Sequence, residues 1–313
     1  MRRADRYAGR AAHRPRRRGR LLALFGAVAA AVWATSAAAY TAAGDRTFVA
    51  TLLLPQVAPA DEVYFTGSTL PLTFGGIGSA SRMSSASVVY DKTITDRLGV
   101  QVEEEYTRLD RFGAPASYGW QNTDAALKYM AINNGSHEFL LTFGVDREFG
   151  GTGTRRVGAS PSGATTPQIY FGKGLGDLDI GLLRPLAVTG FVGAQAADQR
   201  PRPDLFTTGL AVEYSIPYLE SKVRSFALPD LVRGMTPITE VLVTAPLGRS
   251  YRARTAVLVA PGLVYAGAGW EAGIEAMIPT TRASGRGVGV IAQVHFALDY
   301  FFSETLGKPL FGR

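Results

Sequence analysis

Residues 287–300 alternate between two sets of side chains, and that alternation restricts the fold more than any other feature of the chain. Val288, Val290, Ala292, Val294, Phe296, Leu298 and Tyr300 fall on one face of an extended segment. Gly287, Gly289, Ile291, Gln293, His295, Ala297 and Asp299 fall on the other. A strand of this length exceeds the usual ~5–6 residues and matches the ~9–11 that cross a bilayer at a tilt. It runs into Tyr300-Phe301-Phe302, an aromatic cluster of the kind found where strands meet the membrane–water boundary.

Residues 1–39 have the make-up of an export signal. Nine arginines lie between Arg2 and Arg20, and an apolar run follows from Leu21 to Trp33. Small residues at Ala37 and Ala39 then fit a cleavage site before Tyr40. An uncleaved anchor over Leu21–Tyr40 is the competing reading, disfavoured by the alanine-rich end. The chain carries +7 in all, residues 1–39 carry +8, and the remainder is close to −1. The basic balance therefore reports export and gives no ground for nucleic-acid binding. With no cysteines, a disulfide framework and a thiolate metal site are both excluded.

Residues 40–84 read as a periplasmic lead-in holding one strand around Glu62–Ser68, and the barrel occupies 85–313. Ser85–Thr95 and Leu98–Leu109 form a hairpin. Thr123–Ala131 and His137–Glu148 form another, around Asn133-Asn134-Gly135-Ser136, residues that tolerate tight turns. Further strands are expected at Thr166–Gly172, Leu186–Ala194, Leu205–Ile216, Ile238–Ala245, Thr255–Val264 and Trp270–Ile278. Leu219, Val223 and Phe226 recur at helical spacing, so a short helix outside the wall is placed between Tyr218 and Pro237. Long loops are read at 149–166, 195–204 and 246–254. Eleven strands are visible. With one more in the lead-in they predict an all-β, antiparallel transmembrane barrel of about twelve strands, ten being the alternative.

A soluble sandwich or lipocalin-like barrel would alternate equally well. The export signal and the long near-continuous run of strand favour the membrane. So does a polar face built from Gly, Thr, Ser, Glu and Asp and poor in lysine.

Four stretches carry a resemblance. They are Gly150–Ala159, Phe171-Gly172-Lys173-Gly174-Leu175-Gly176-Asp177-Leu178, Leu183–Gly190, and Arg286–Phe296 with Leu306-Gly307-Lys308-Pro309-Leu310-Phe311. Over roughly 85–311 the chain resembles uncharacterised Gram-negative outer-membrane β-barrel proteins, similar to the group labelled phenol-degradation-pathway-like or transporters. The resemblance implies an outer-membrane barrel and no particular substrate. Gly312-Arg313 follow Phe311, where such barrels usually end on an aromatic residue.

The candidate lumen-facing polar residues are Asp124, Lys128, Glu138, Asp146, Glu213 and Glu240, with Glu271, Glu275, Gln293, His295 and Asp299. Sharing a narrow lumen, such groups must pair or stay wet. His295 is expected to pair with a carboxylate from a neighbouring strand, and His137 to be a solvated turn residue. Neither Glu103-Glu104-Glu105, whose side chains alternate across a strand, nor the glycine runs Gly150–Gly153 and Gly172–Gly176 has the setting of a metal or phosphate site. No catalytic set, cofactor or metal is expected. The expected partners are outer-membrane lipid, the outer-membrane assembly machinery and an unidentified small solute. The leading reading is a passive channel or facilitator whose acidic lining favours cations or neutral polar solutes over anions. The alternatives are a closed structural or adhesive barrel acting through its loops, and a lipid-modifying enzyme.

Overall fold

A computed structural model describes residues 41–72, 80–248 and 254–311. The export signal expected over 1–39, the glycine-rich stretch 73–79 and part of the loop 246–254 lie outside these residues. Twelve antiparallel strands close into a barrel: β1 Glu62–Pro71, β2 Ala80–Thr93, β3 Leu98–Arg111, then β4, whose two segments are Ala114–Trp120 and Asp124–Asn134. They continue with β5 Phe139–Glu148, β6 Ala164–Gly174, β7 Leu186–Ala197, β8 Asp204–Tyr214, β9 Met235–Leu247, β10 Ala256–Ala266, β11 Trp270–Pro279 and β12 Gly289–Ala297. Each pairs with its sequence neighbours. The seam is the pairing of β12 with β1, from Val290 opposite Thr69 to Ala297 opposite Glu62. Closure leaves no edge, which is the condition for a sheet to sit in lipid.

The two segments of β4 pair with one partner. Tyr106 of β3 opposes Trp120, and Glu103 opposes Asp124. Three residues, Gln121–Thr123, stand opposite two on β3, so the break is a bulge in one strand. The loop 149–163 folds back to seal it. Thr154 N–H donates to Trp120 O at 2.8 Å, Gly153 N–H to Asn122 Oδ1 at 3.0 Å, and Val157 is fully buried against Leu109. The long loop predicted here is therefore tied back onto the wall, with Val157 as its buried foot.

Exposure follows the period-2 pattern. Ile274, Val290 and Val294 point outward, while Glu271, Glu275, Gln293 and His295 are buried inward. Outward aromatics gather toward the two rims. Tyr106 packs edge-on to Trp120 at one end (5.2 Å between centroids), and Tyr265 lies against Trp270 at the other (5.6 Å).

Two sequence expectations fail at strand ends. β12 stops at Ala297, and Leu298–Phe301 form a helical turn, with Phe302 N–H donating to Leu298 O at 2.7 Å. Asp299 is thus at the barrel rim. Glu138 precedes β5 with φ 47° and belongs to the turn Gly135–His137, not to a strand. The expected helix between Tyr218 and Pro237 takes the form of short helical turns at Ile216–Tyr218, Leu219–Val223 and Asp230–Arg233.

The lead-in departs most from expectation. Its strand is in the wall as β1. Residues 41–60 form an inner segment inside the lumen, with Phe48, Val49, Ala50, Leu52, Leu54 and Val57 all buried. They pack against inward residues of the wall, including Leu140, Tyr170, Phe191, Ile238, Val264 and Met277. The apolar run of this segment would be costly in water, and the inward apolar patch removes it from water.

Candidate functional site

The inner segment enters and leaves at one end of the barrel, the end where β1 begins and β12 stops. On the entering limb, Arg46 is fully buried. Its Nε lies 3.2 Å from Glu138 Oε2, and its Nη atoms donate to Pro185 O (3.0 Å) and Arg184 O (2.5 Å). The guanidinium stacks over the Tyr218 ring at 4.0 Å, and the Tyr218 hydroxyl donates to Glu138 Oε1 at 2.8 Å. Gly44 (φ 62°) meets the Gly135 turn so closely that a Cβ would sit 2.2 Å from Gly135 O. On the leaving limb, Asp61 accepts from Lys92 Nζ and Thr93 Oγ1, each at 2.5 Å. Lys92 also donates to Leu306 O and Lys308 O, tying in the C-terminal tail.

Between these anchors the tip is held by carboxylates. Val49 N–H donates to Glu213 at 3.3 Å and Ala50 N–H to Glu271 at 2.7 Å. The consecutive N–H groups of Leu52, Leu53 and Leu54 donate to the two oxygens of Glu240 at 2.7, 3.0 and 2.7 Å. A bend makes three adjacent N–H groups available, and Thr51 fixes that bend by donating to Leu54 O while Thr51 O accepts from Gln56 Nε2. These N–H groups have no strand partner, so the wall glutamates supply the acceptors that a buried backbone requires. Gly209 on β8 leaves the room that Leu54 fills, since a Cβ there would come 2.4 Å from Leu54 Cδ2.

Glu240→Ala removes the acceptor of three hydrogen bonds, each to a charged group and worth about 1.5–3 kcal/mol in isolation. The desolvation of Glu240 offsets part of that. We expect the barrel to remain folded and the Thr51–Pro55 tip to become cleavable by thermolysin in detergent. Mass spectrometry of the products reads this directly, and unchanged protection would mean that apolar packing alone holds the tip.

The remaining candidates occupy different settings. Glu275 is buried inward two strands from Glu240. His295 sits between carboxylates of its neighbouring strands, with Nε2 2.7 Å from Glu62 and Nδ1 3.8 Å from Glu271. Lys128 is buried with Nζ 3.1 Å from Gln56 O, 3.8 Å from Asp91 and 5.4 Å from the Tyr170 ring centroid. Asp124, Asp146 and Gln293 line cavities beside the inner segment. Asp299 faces a separate pocket near the rim, and His137 is exposed beside Asp177.

The cavities lie along one side of the inner segment. One of about 300 Å³ is lined by Glu103, Glu105, Asp146, Tyr64, Gln101, Gln168 and Tyr170. A second of about 350 Å³ shares Leu53, Pro55, Glu103, Asp146 and Gln168 with it and adds Asp124, Glu148 and Gln195. A third of about 280 Å³ opens toward the rim between Ala58–Asp61, Thr93, Met130 and Asp299. Asp91 lies between Val89 of the first cavity and Thr93 of the third along β2. Gln56 lies between Pro55 and Ala58 on the inner segment. Lys128, bonded to Gln56 and near Asp91, therefore lies between the upper pair and the lower pocket.

Outside the spans, burial pushes the Asp299 carboxyl above the ordinary carboxylate range. The protonated form is thus the one the fold favours. Its contribution is fully present below the unfolded value near pH 4 and is lost as pH rises through the raised folded value. Asp299→Asn is expected to raise the melting temperature in detergent at pH 7 and to leave it unchanged at pH 3.

Sequence reasoning missed Arg46 and Asp61, the two anchors. The charged pairs Asp45-Arg46 and Asp61-Glu62 flanking the apolar run 47–58 were their only signal. It also left Tyr170 and Gln168 unassigned, although both fall on the inward face of β6.

The sequence matches no protein-family model and no curated protein. Among solved structures, an outer-membrane channel from Pseudomonas putida F1 superposes with a TM-score of 0.52 at 15% identity, covering 78% of this chain and 97% of that one. The NanC porin gives 0.48 at 9% identity, covering 75% and 98%. The KdgM porin in complex with disordered oligogalacturonate gives 0.45 at 12%, also covering 75% and 98%. Closed by its β1–β12 seam and similar in fold to that Pseudomonas channel, the chain is a twelve-strand antiparallel β-barrel of the outer-membrane kind.

Proposed function

We propose that this chain is a passive outer-membrane channel for a small polar solute, with its bore narrowed by the inner segment. The observation that carries the reading is the row of cavities beside that segment: the upper two share five lining residues, and Lys128, Asp91 and Gln56 lie between them and the lower pocket. A barrel serving stability alone would gain by filling that side with apolar groups, because packing stabilises and buried charge costs. The lining of the upper cavities includes Glu103, Glu105, Asp124, Asp146 and Glu148 and no lysine or arginine. Cations and neutral polar solutes are favoured over anions by such a lining.

The test is reconstitution of the refolded protein in planar bilayers with a salt gradient. A small conductance with a reversal potential on the cation side is expected. No current and no solute uptake into liposomes would remove the channel reading while leaving the barrel.

One observation favours a second reading. The inner segment occupies the lumen, and the far-end loops 149–163 and 198–203 bond to each other at the opposite end from its anchors, as a closed barrel acting through its surface would need. The bilayer measurement separates the two.

A further inference from the structure

Four carboxylates of the upper cavities have no ion-pair partner among the described residues: Glu103, Glu105, Asp124 and Asp146. Glu148 is different, since Arg202 and Asn122 both bond to it. The nearest buried ammonium, Lys128, is turned to Gln56 O and the Tyr170 ring. Two neutral groups in the same cavity also lack partners. Tyr170 is 1% exposed and lines the cavity, its hydroxyl making no hydrogen bond among the described residues, and Gln168 Oε1 is buried without one. The cavity therefore combines carboxylates that have no counter-cation, one of them, Glu105, accepting from Thr107 Oγ1 at 2.7 Å, with a buried tyrosine hydroxyl.

The spacing discriminates between kinds of cation. Glu103 and Glu105 are two residues apart on β3, about 7 Å along the strand. Asp124 stands opposite Glu103 on β4, and Asp146 opposite Ala126 one strand further. The carboxylates are thus spread over three strands, and no group of three among the described residues converges as a metal ion requires. Spread charges suit a ligand whose own charges are spread. The protein's alkylammonium Lys128 already sits against Tyr170 and a carbonyl at the floor of this cavity, which shows the local chemistry such a group meets.

We infer that the upper cavities form a binding site for an organic polycation, a flexible chain bearing two or more ammonium groups. Its ammoniums would meet Glu103, Asp124 and Asp146 while Tyr170 and Gln168 contact the linker or a terminal N–H. The site belongs to the conduit proposed above and names the class of solute that the conduit would select.

Spermidine is the probe. Full-length protein in detergent, its folding confirmed by heat-modifiable migration on gels, is titrated calorimetrically. Saturable binding is expected, weakened about tenfold by Glu103→Gln with Asp146→Asn and unaffected by Glu220→Gln at an exposed turn. Tyr170→Phe, which removes one oxygen, is the second variant if the double one misfolds, and it should weaken binding to a smaller extent. No saturable binding, unchanged binding in the variant that folds, or equal displacement by Mg²⁺ would each overturn the site. Because binding is read without current, an absent conductance removes the channel alone, and absent binding with conductance intact removes the site alone.

Discussion

Deleting Phe48–Ala58 is expected to raise the single-channel conductance severalfold while the barrel still folds. The segment contributes no strand to the wall, whose seam is made by β1 and β12. Its removal takes out the side chains filling the apolar half of the lumen, together with Gln56, which closes onto Lys128. Glu213 and Glu240, freed of their N–H donors, and Glu271 beside His295 would then face water in the widened bore, so cation selectivity should persist or rise. Bilayer recordings of the two proteins at one salt concentration give the comparison. Equal conductance would show that ions pass where the segment does not reach. Silence from both would leave the closed-barrel reading standing.

The second large effect separates the two faces of the wall. Ile274→Arg puts a charge on an outward residue that is 56% exposed at the middle of β11. Against lipid at mid-depth such a charge costs about 2–4 kcal/mol. Gln293→Arg places the same charge on the inward face of β12, where Glu103, Glu105 and Asp146 line the same cavity. The first variant should fold poorly into vesicles, and the second should fold and shift selectivity away from cations. Folding yields into lipid vesicles measure both. A yield for Ile274→Arg equal to that of the unaltered protein would place this face outside hydrocarbon.

The faces of β11 and β12 could be read from alternation because each strand there is straight and buries every second residue. Glu271, Glu275, Gln293 and His295 therefore fell on one side without any knowledge of their partners. Alternation says nothing about where a strand stops, so Glu138 and Asp299, one residue before a strand and two beyond, were given strand positions they do not hold. Ala114–Trp120 escaped notice because the bulge at Gln121–Thr123 shifts the period between the halves of β4. The inner segment was hidden for a different reason. Phe48–Pro55 has no period at all, and its hydrogen bonds run to side chains up to 221 residues away, so no local pattern encodes its place. The glutamates that hold it were visible as inward acids, but their partner was not.

The two limbs of the inner segment are both fastened at the same end, by Arg46 on one side and Asp61 on the other, while its tip is held by wall carboxylates and apolar packing, with no covalent or strand link. A loop tethered in this way needs no unthreading to leave its seat, and its return is an intramolecular event. Any exchange between seated and unseated tips is then a property of single molecules, with rates that do not change when the protein is diluted. A free peptide copying residues 46–61 would face a tether whose effective concentration is on the order of millimolar, and would have to exceed that to take the seat.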